Sequence, residues 1–176
     1  MELTIFNIFQ AFKGLTWPDL IDLSEDKFNK NKLYNLLKSV PDLSDIEMIN
    51  EKDIRRNAAL PFFGWGASRE NLDKIDAHVT SDLSFKKGEI NLLIENKLVR
   101  DDKNEDSIKN ALVQTIEYLN LYNVSGAILL VFDDGRAKKR EWENNPEEHL
   151  IKCLTSKYPF CVVRIRKDKR TCVYFN

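Results

Sequence analysis

The stretch Ile90-Asn91-Leu92-Leu93-Ile94-Glu95-Asn96-Lys97 ends an apolar run on an acid and a lysine two residues apart. Side chains of a strand alternate with period two, so Glu95 and Lys97 share one face and their heads can converge. A carboxylate there supplies hard oxygen to a divalent cation such as Mg²⁺, and an ammonium beside it orients water or stabilises a pentavalent phosphorane. Acid-x-Lys also occurs at Glu25-Asp26-Lys27 and Asp101-Asp102-Lys103, but only the Glu95 copy is set in a hydrophobic strand. Burying two charges at such a place is costly unless they pair or hold an ion. The plain alternative is a Glu-Lys pair at a strand end. A second acid has to come from another segment, and Asp76, between Ile75 and Ala77, is the candidate, 19 residues before Glu95. Asp73 and Asp82 compete with it from positions nearer the ends of the expected strands. His78, on the face of Asp76, reads as a surface or hydrogen-bonded histidine before a metal ligand.

The elements that must position these groups follow from hydrophobic spacing. Ile5, Ile8, Phe9 and Phe12 recur at helical intervals, Gly14 and Trp17-Pro18 interrupt, and Leu33, Leu36, Leu37 and Val40 resume before Pro41. Ser44 is expected to cap a third helix through Ile54. From Leu72 the period becomes two, with Ile75, Ala77 and Val79 alternating with polar residues, which predicts a strand. The turn Lys86-Lys87-Gly88 leads into a strand over Glu89 to Val99. Residues 101–106 read as a polar loop, Ser107 as the N-cap of a helix bearing Ala111, Leu112, Ile116 and Leu119, and Val124 to Phe132 as a buried strand. A helix over Lys138 to Ser156 and strands at Phe160 to Arg166 and Thr171 to Phe175 complete the chain. Helices, a strand pair, a crossover helix, a strand, a helix and two strands make an α/β sandwich with a mixed central sheet.

In this order, Asp76, then Glu95-Asn96-Lys97 at a strand end, then a helix with Gln114-Thr115-Ile116-Glu117-Tyr118, the sequence resembles the PD-(D/E)xK nuclease superfamily, several branches of which carry a Gln-x-x-x-Tyr helix. More narrowly, the run from Glu51 through Arg55, Arg56 and Pro61 to Gly64-Trp65 is similar to the opening helix of the N-terminal nuclease domain of type I restriction enzyme motor subunits. The resemblance covers residues 51–122. It departs from the pattern at Ile75, where proline is usual, and no helicase motor or Gly-x-x-x-x-Gly-Lys phosphate loop follows. The resemblance implies a restriction-endonuclease-like fold and a Mg²⁺-dependent endonuclease, with Mn²⁺ as a substitute ion. It implies Asp76, Glu95 and the backbone carbonyl of Asn96 as metal ligands and Lys97 as the group that positions the attacking water. It gives Glu51 a hold on metal-bound water, and Gln114 and Tyr118 contact with the substrate backbone or with Lys97.

Composition sets limits on partners. A chain of 176 residues with 43% hydrophobic and 31% charged residues is expected to form one globular domain. Within it, residues 1–43 form a helical extension, 44–135 the motif-bearing core and 136–176 a basic helix and hairpin. The net charge of −1 hides an asymmetry: 16 Lys and Arg against 23 Asp and Glu over residues 1–135, and 11 against 5 over 136–176. The net charge alone argues against a protein coated for nucleic acid, while the asymmetry leaves room for a basic C-terminal face; nucleic acid, DNA before RNA, is the partner that the resemblance implies, and a homodimer or partner subunit remains open. No apolar run approaches the roughly 20 residues that span a bilayer, so no membrane and a cytoplasmic location are expected, and without a phosphate loop no ATP is expected. Cys153, Cys161 and Cys172 have no metal-type spacing and read as buried thiols. The alternative from another class is a non-catalytic module on the nuclease fold, such as an inhibitor or accessory subunit.

Overall fold

The computed structural model describes residues 4–25, 27–48, 83–99, 105–121, 124–134, 146–167 and 170–176. The Asn-Asp-rich N-terminal part folds into short helices because its turns are well capped. Helix α1 (Ile5–Gln10) starts at Thr4, whose side chain and that of Asn7 bond each other's backbone N–H groups. Helix α2 (Trp17–Leu20) starts likewise at Thr16 with Asp19 at the third position. A hairpin of two-residue strands, β1 (Ile21–Asp22) and β2 (Lys27–Phe28), joins it to α3 (Lys30–Ser39), which Asn29 caps through bonds to the Asn31 and Lys32 N–H groups. Helical spacing alone does not show this hairpin.

The sheet begins with β3 (Glu47–Met48), where a helix through Ile54 is expected from sequence. The correction has a tertiary cause: these two residues pair antiparallel with β4 (Leu83–Lys87), Glu47 opposite Lys86 and Met48 opposite Phe85. Gly88, with φ of +57°, supplies the left-handed residue that turns β4 into β5 (Ile90–Val99), and Lys87 pairs with Ile90 across the turn. Helix α4 (Glu105–Leu121) crosses over to β6 (Gly126–Asp133), beginning two residues before the expected cap at Ser107. Helix α5 (Pro146–Lys157), β7 (Phe160–Arg166) and β8 (Cys172–Tyr174) follow. The six strands lie in chain order, with β5, β6 and β7 parallel and the others antiparallel. The chain is therefore an α/β protein with a mixed sheet.

Each face of the sheet has its own core. Leu92, Ile94, Ile128, Leu130, Phe132, Cys161, Val163 and Ile165 face the N-terminal helices, meeting Phe9, Trp17, Leu20, Leu33 and Leu37. Leu93, Ala127, Leu129, Val131, Phe160 and Val162 face α4 and α5, meeting Ile108, Ala111, Leu112, Tyr118 and Ile151. Covered on both sides, β6 is buried at every position, which explains its unbroken apolar run. The expectation of three buried thiols holds for Cys161, whose pKa burial pushes up. Cys153 is exposed, because α5 buries Ile151 and Thr155 and turns residues 152 and 153 outward, and Cys172 is half-buried on the edge strand. Among the described residues no helix is long and apolar enough to cross a membrane.

Candidate active site

Strand β5 places the acid and the lysine as its alternation requires. Glu95 pairs with Leu129 and Lys97 with Val131 across the parallel β5–β6 ladder, and both partners belong to the core under α4 and α5. Glu95 and Lys97 are thus on the α4–α5 face, half-buried, towards the C-terminal ends of the parallel strands, where crevices of open α/β sheets bind ligands. The Glu95 Oε2 atom is shut off from solvent. Asn96 alternates to the other face with Ile94 and Leu130, so only its backbone can serve a site beside Glu95. Its carbonyl direction follows from the ladder. The Ser125 N–H donates to the Asn91 carbonyl at 2.8 Å, so odd-numbered carbonyls of β5 point to β6 and that of Asn96 points to the β4 side.

Helix α4 brings the other two residues. It packs on β5 and β6 through Ile108, Ala111, Leu112, Thr115 and Tyr118. The buried Thr115 hydroxyl is satisfied by donating to the Ala111 carbonyl at 2.7 Å. Tyr118 is 2% exposed and sits within the apolar core. Gln114, one turn earlier, is half-exposed and can reach solvent. Asp76 and Glu51 lie outside the described residues, as do Asp73, His78 and Asp82. Among the described residues no three acidic, histidine or cysteine side chains gather as a metal cage. The competing Glu25 and Lys27 are exposed on the β1–β2 hairpin, which belongs to the N-terminal layer on the sheet face opposite Glu95 and Lys97.

The same face carries a feature that the charge count conceals. Arg164, on β7, is 4% exposed and Asp133, at the end of β6, 6%. Arg164 donates to Asp133 Oδ2 from Nη2 at 2.5 Å and from Nε at 3.2 Å. Arg166 spends Nε and Nη2 on the Arg170 carbonyl, at 3.0 and 2.8 Å. Arg164 and Arg166, two cations of the basic C-terminal segment, are therefore committed within the protein. The sequence holds a signal for this pair, since Asp133 ends one apolar strand and Arg164 interrupts another. Near them Tyr174 on β8 donates to Glu148 Oε2 at 3.4 Å, and Lys152 pairs with Glu148 at 2.9 Å. Burial, with Cys172 and Glu148 nearby, pushes the Tyr174 hydroxyl pKa up. Compared with known proteins, the chain matches no family model, no curated protein and no solved structure.

Proposed function

We propose that the protein is a Mg²⁺-dependent endonuclease on a restriction-endonuclease-like fold, hydrolysing phosphodiester bonds of nucleic acid, DNA before RNA. The observation that carries the reading is the arrangement on β5. Glu95 and Lys97 share the sheet face that α4 covers, at the C-terminal ends of parallel strands, with Gln114 half-exposed on that helix. The donor chemistry suits a hard divalent cation: a carboxylate with a solvent-shielded oxygen, and next to it in the strand a backbone carbonyl at residue 96. Glu95, the Asn96 carbonyl and a second carboxylate would hold the ion, which supplies Lewis acidity towards a phosphoryl oxygen. Lys97 orients the attacking water and faces developing negative charge, and Gln114 offers its amide to the substrate backbone.

The second carboxylate is Asp76, or its competitor Asp82. Asp76 is the ligand that the resemblance implies, and both aspartates lie outside the described residues. Asp76 stands six residues further up the chain. Glu51, Glu-bearing partner of metal-bound water, keeps its place in the reading by resemblance.

The test is incubation of purified protein with supercoiled plasmid, linear DNA and RNA, in Mg²⁺, Mn²⁺ or EDTA. Metal-dependent cleavage that Glu95→Ala abolishes is expected. Calorimetry should show Mn²⁺ binding that Glu95→Ala and Asp76→Asn each remove; binding that Asp76→Asn keeps and Asp82→Asn removes would give the second ligand to Asp82. Nucleic-acid binding without cleavage, unaltered by Glu95→Ala, would give the accessory-module alternative instead.

A further inference from the structure

The reading above leaves one buried ion pair, Arg164 with Asp133, without a role. Such a pair is seldom more stabilising than apolar residues of the same volume, so its placement is the informative part. Lys97 pairs with Val131 in the β5–β6 register, and Val131 pairs with Arg164 in the β6–β7 register. All three therefore stand in one row on the α4–α5 face. Asp133, two residues beyond Val131, is on that face too. It has a cation at the same diagonal offset on either side: Lys97 on β5 and Arg164 on β7. From strand spacing and rise, each diagonal spans about 8 Å between Cα atoms. Arg164 closes its diagonal with two nitrogens on Oδ2. Among the described residues no ion pair engages Lys97, whose flexible four-carbon stem can span the mirror-image diagonal.

We propose that Arg164 is a positioning residue: by holding the Asp133 carboxylate, it keeps that acid from drawing the Lys97 ammonium along the sheet and away from Glu95. The effect on rate rests on the hydrolysis proposed above; the competition between the two cations for one acid does not. An arginine suits the task because its fork locks the carboxylate with two donors from one rigid plane, which a lysine at 164 cannot do.

The experiment reads the Asp133 carboxylate ¹³C signal together with steady-state cleavage. In the wild-type background Lys97→Met should leave the Asp133 signal in place. In the Arg164→Met background the same change should move it, because Lys97 has taken the vacated partner. Arg164→Met should lower kcat about 100-fold, the scale of a misplaced electrostatic donor, and change KM less than about twofold. Adding Asp133→Leu removes the competing acid and should return kcat to within about threefold of the wild type. The double variant loses both charges together and so keeps its core. If Arg164→Met does not fold, Arg164→Lys replaces it, with the same signs expected and smaller changes. An Asp133 signal indifferent to Lys97 in both backgrounds overturns the proposal, as does a double variant as slow as the single one. A signal that responds as expected in a protein that cleaves nothing supports the competition for Asp133 and counts against the hydrolysis.

Discussion

Lys97 and Lys27 occupy the same local motif and opposite settings, which makes them a matched pair for experiment. Lys97 is half-buried beside Glu95 on the helix-covered sheet face, whereas Glu25 and Lys27 are exposed on a two-residue hairpin. Lys97→Ala should reduce kcat about 100- to 1,000-fold, as loss of one aimed donor does, with Mn²⁺ affinity by calorimetry retained. Glu25→Ala and Lys27→Ala should leave both unchanged; sensitivity at Lys27 would mean that the wrong acid-x-Lys has been chosen. The Arg164–Asp133 pair calls for a stability measurement. Asp133→Ala leaves a buried guanidinium beside a missing acid and should cost about 3–5 kcal/mol in urea unfolding. A neutral result would mean that solvent reaches Arg164 more freely than its burial indicates.

Among the elements, the parallel strands are the most legible in the sequence and the short ones the least. The runs Gly126–Asp133 and Phe160–Arg166 are apolar because both their faces are covered, so composition alone marks them. Strand β3 is two residues long and exists because β4 offers it a partner, which no local pattern around Glu47 records. The alternation on β5 gives the shared face of Glu95 and Lys97, but the neighbour relation of Asp133 and Arg164 depends on a register between strands 31 residues apart. Two element-level changes test the packing. A Cβ on Gly126 would come 2.6 Å from Ile5 Cγ1 and 3.0 Å from the Pro159 carbonyl oxygen, so Gly126 marks where α1 and the α5–β7 connection crowd the start of β6. Gly126→Ala should destabilise by about 1–3 kcal/mol, the usual range for overpacking, read as a lower urea midpoint at constant slope. At the other edge the Lys87 ammonium ties to the Asp45 carboxylate and holds its pKa below the ordinary value. A depressed folded pKa stabilises above the unfolded value of about 3.9 and loses that contribution as pH falls through the folded one. Asp45→Asn should therefore lower stability slightly at neutral pH, the pair being exposed, and the difference from the wild type should vanish below about pH 4, so that the acid limb flattens by that small amount.

At the scale of the whole molecule the charge asymmetry changes meaning once the pairs are known. Arg164 is neutralised within the core and Arg166 holds a backbone carbonyl, so the C-terminal excess reaching a substrate is smaller than the +6 of residues 136–176. Each phosphate neutralised on duplex DNA adds about 0.9 to the slope of log affinity against log salt. In a Glu95→Ala background, replacing Lys138, Lys139 and Arg140 with alanine should flatten that slope, while Arg164→Met should leave it unchanged; an equal slope in the triple variant would move the binding surface to the Gln114 helix. The N-terminal layer adds a consequence in time. Its apolar face, Phe9 and Phe12 included, is covered by β6, β7 and the C-terminal segment: Phe9 packs against Phe175, and Thr171 bonds the Leu15 carbonyl across 156 residues of sequence. On a ribosome adding about 5–20 residues per second, that face emerges roughly 6–23 seconds before β6, the first of its cover, does. For that interval the first helix is a sticky amphipathic peptide tethered to a growing chain, a natural client for a chaperone, and slowing elongation in the second half of the message would lengthen its exposure.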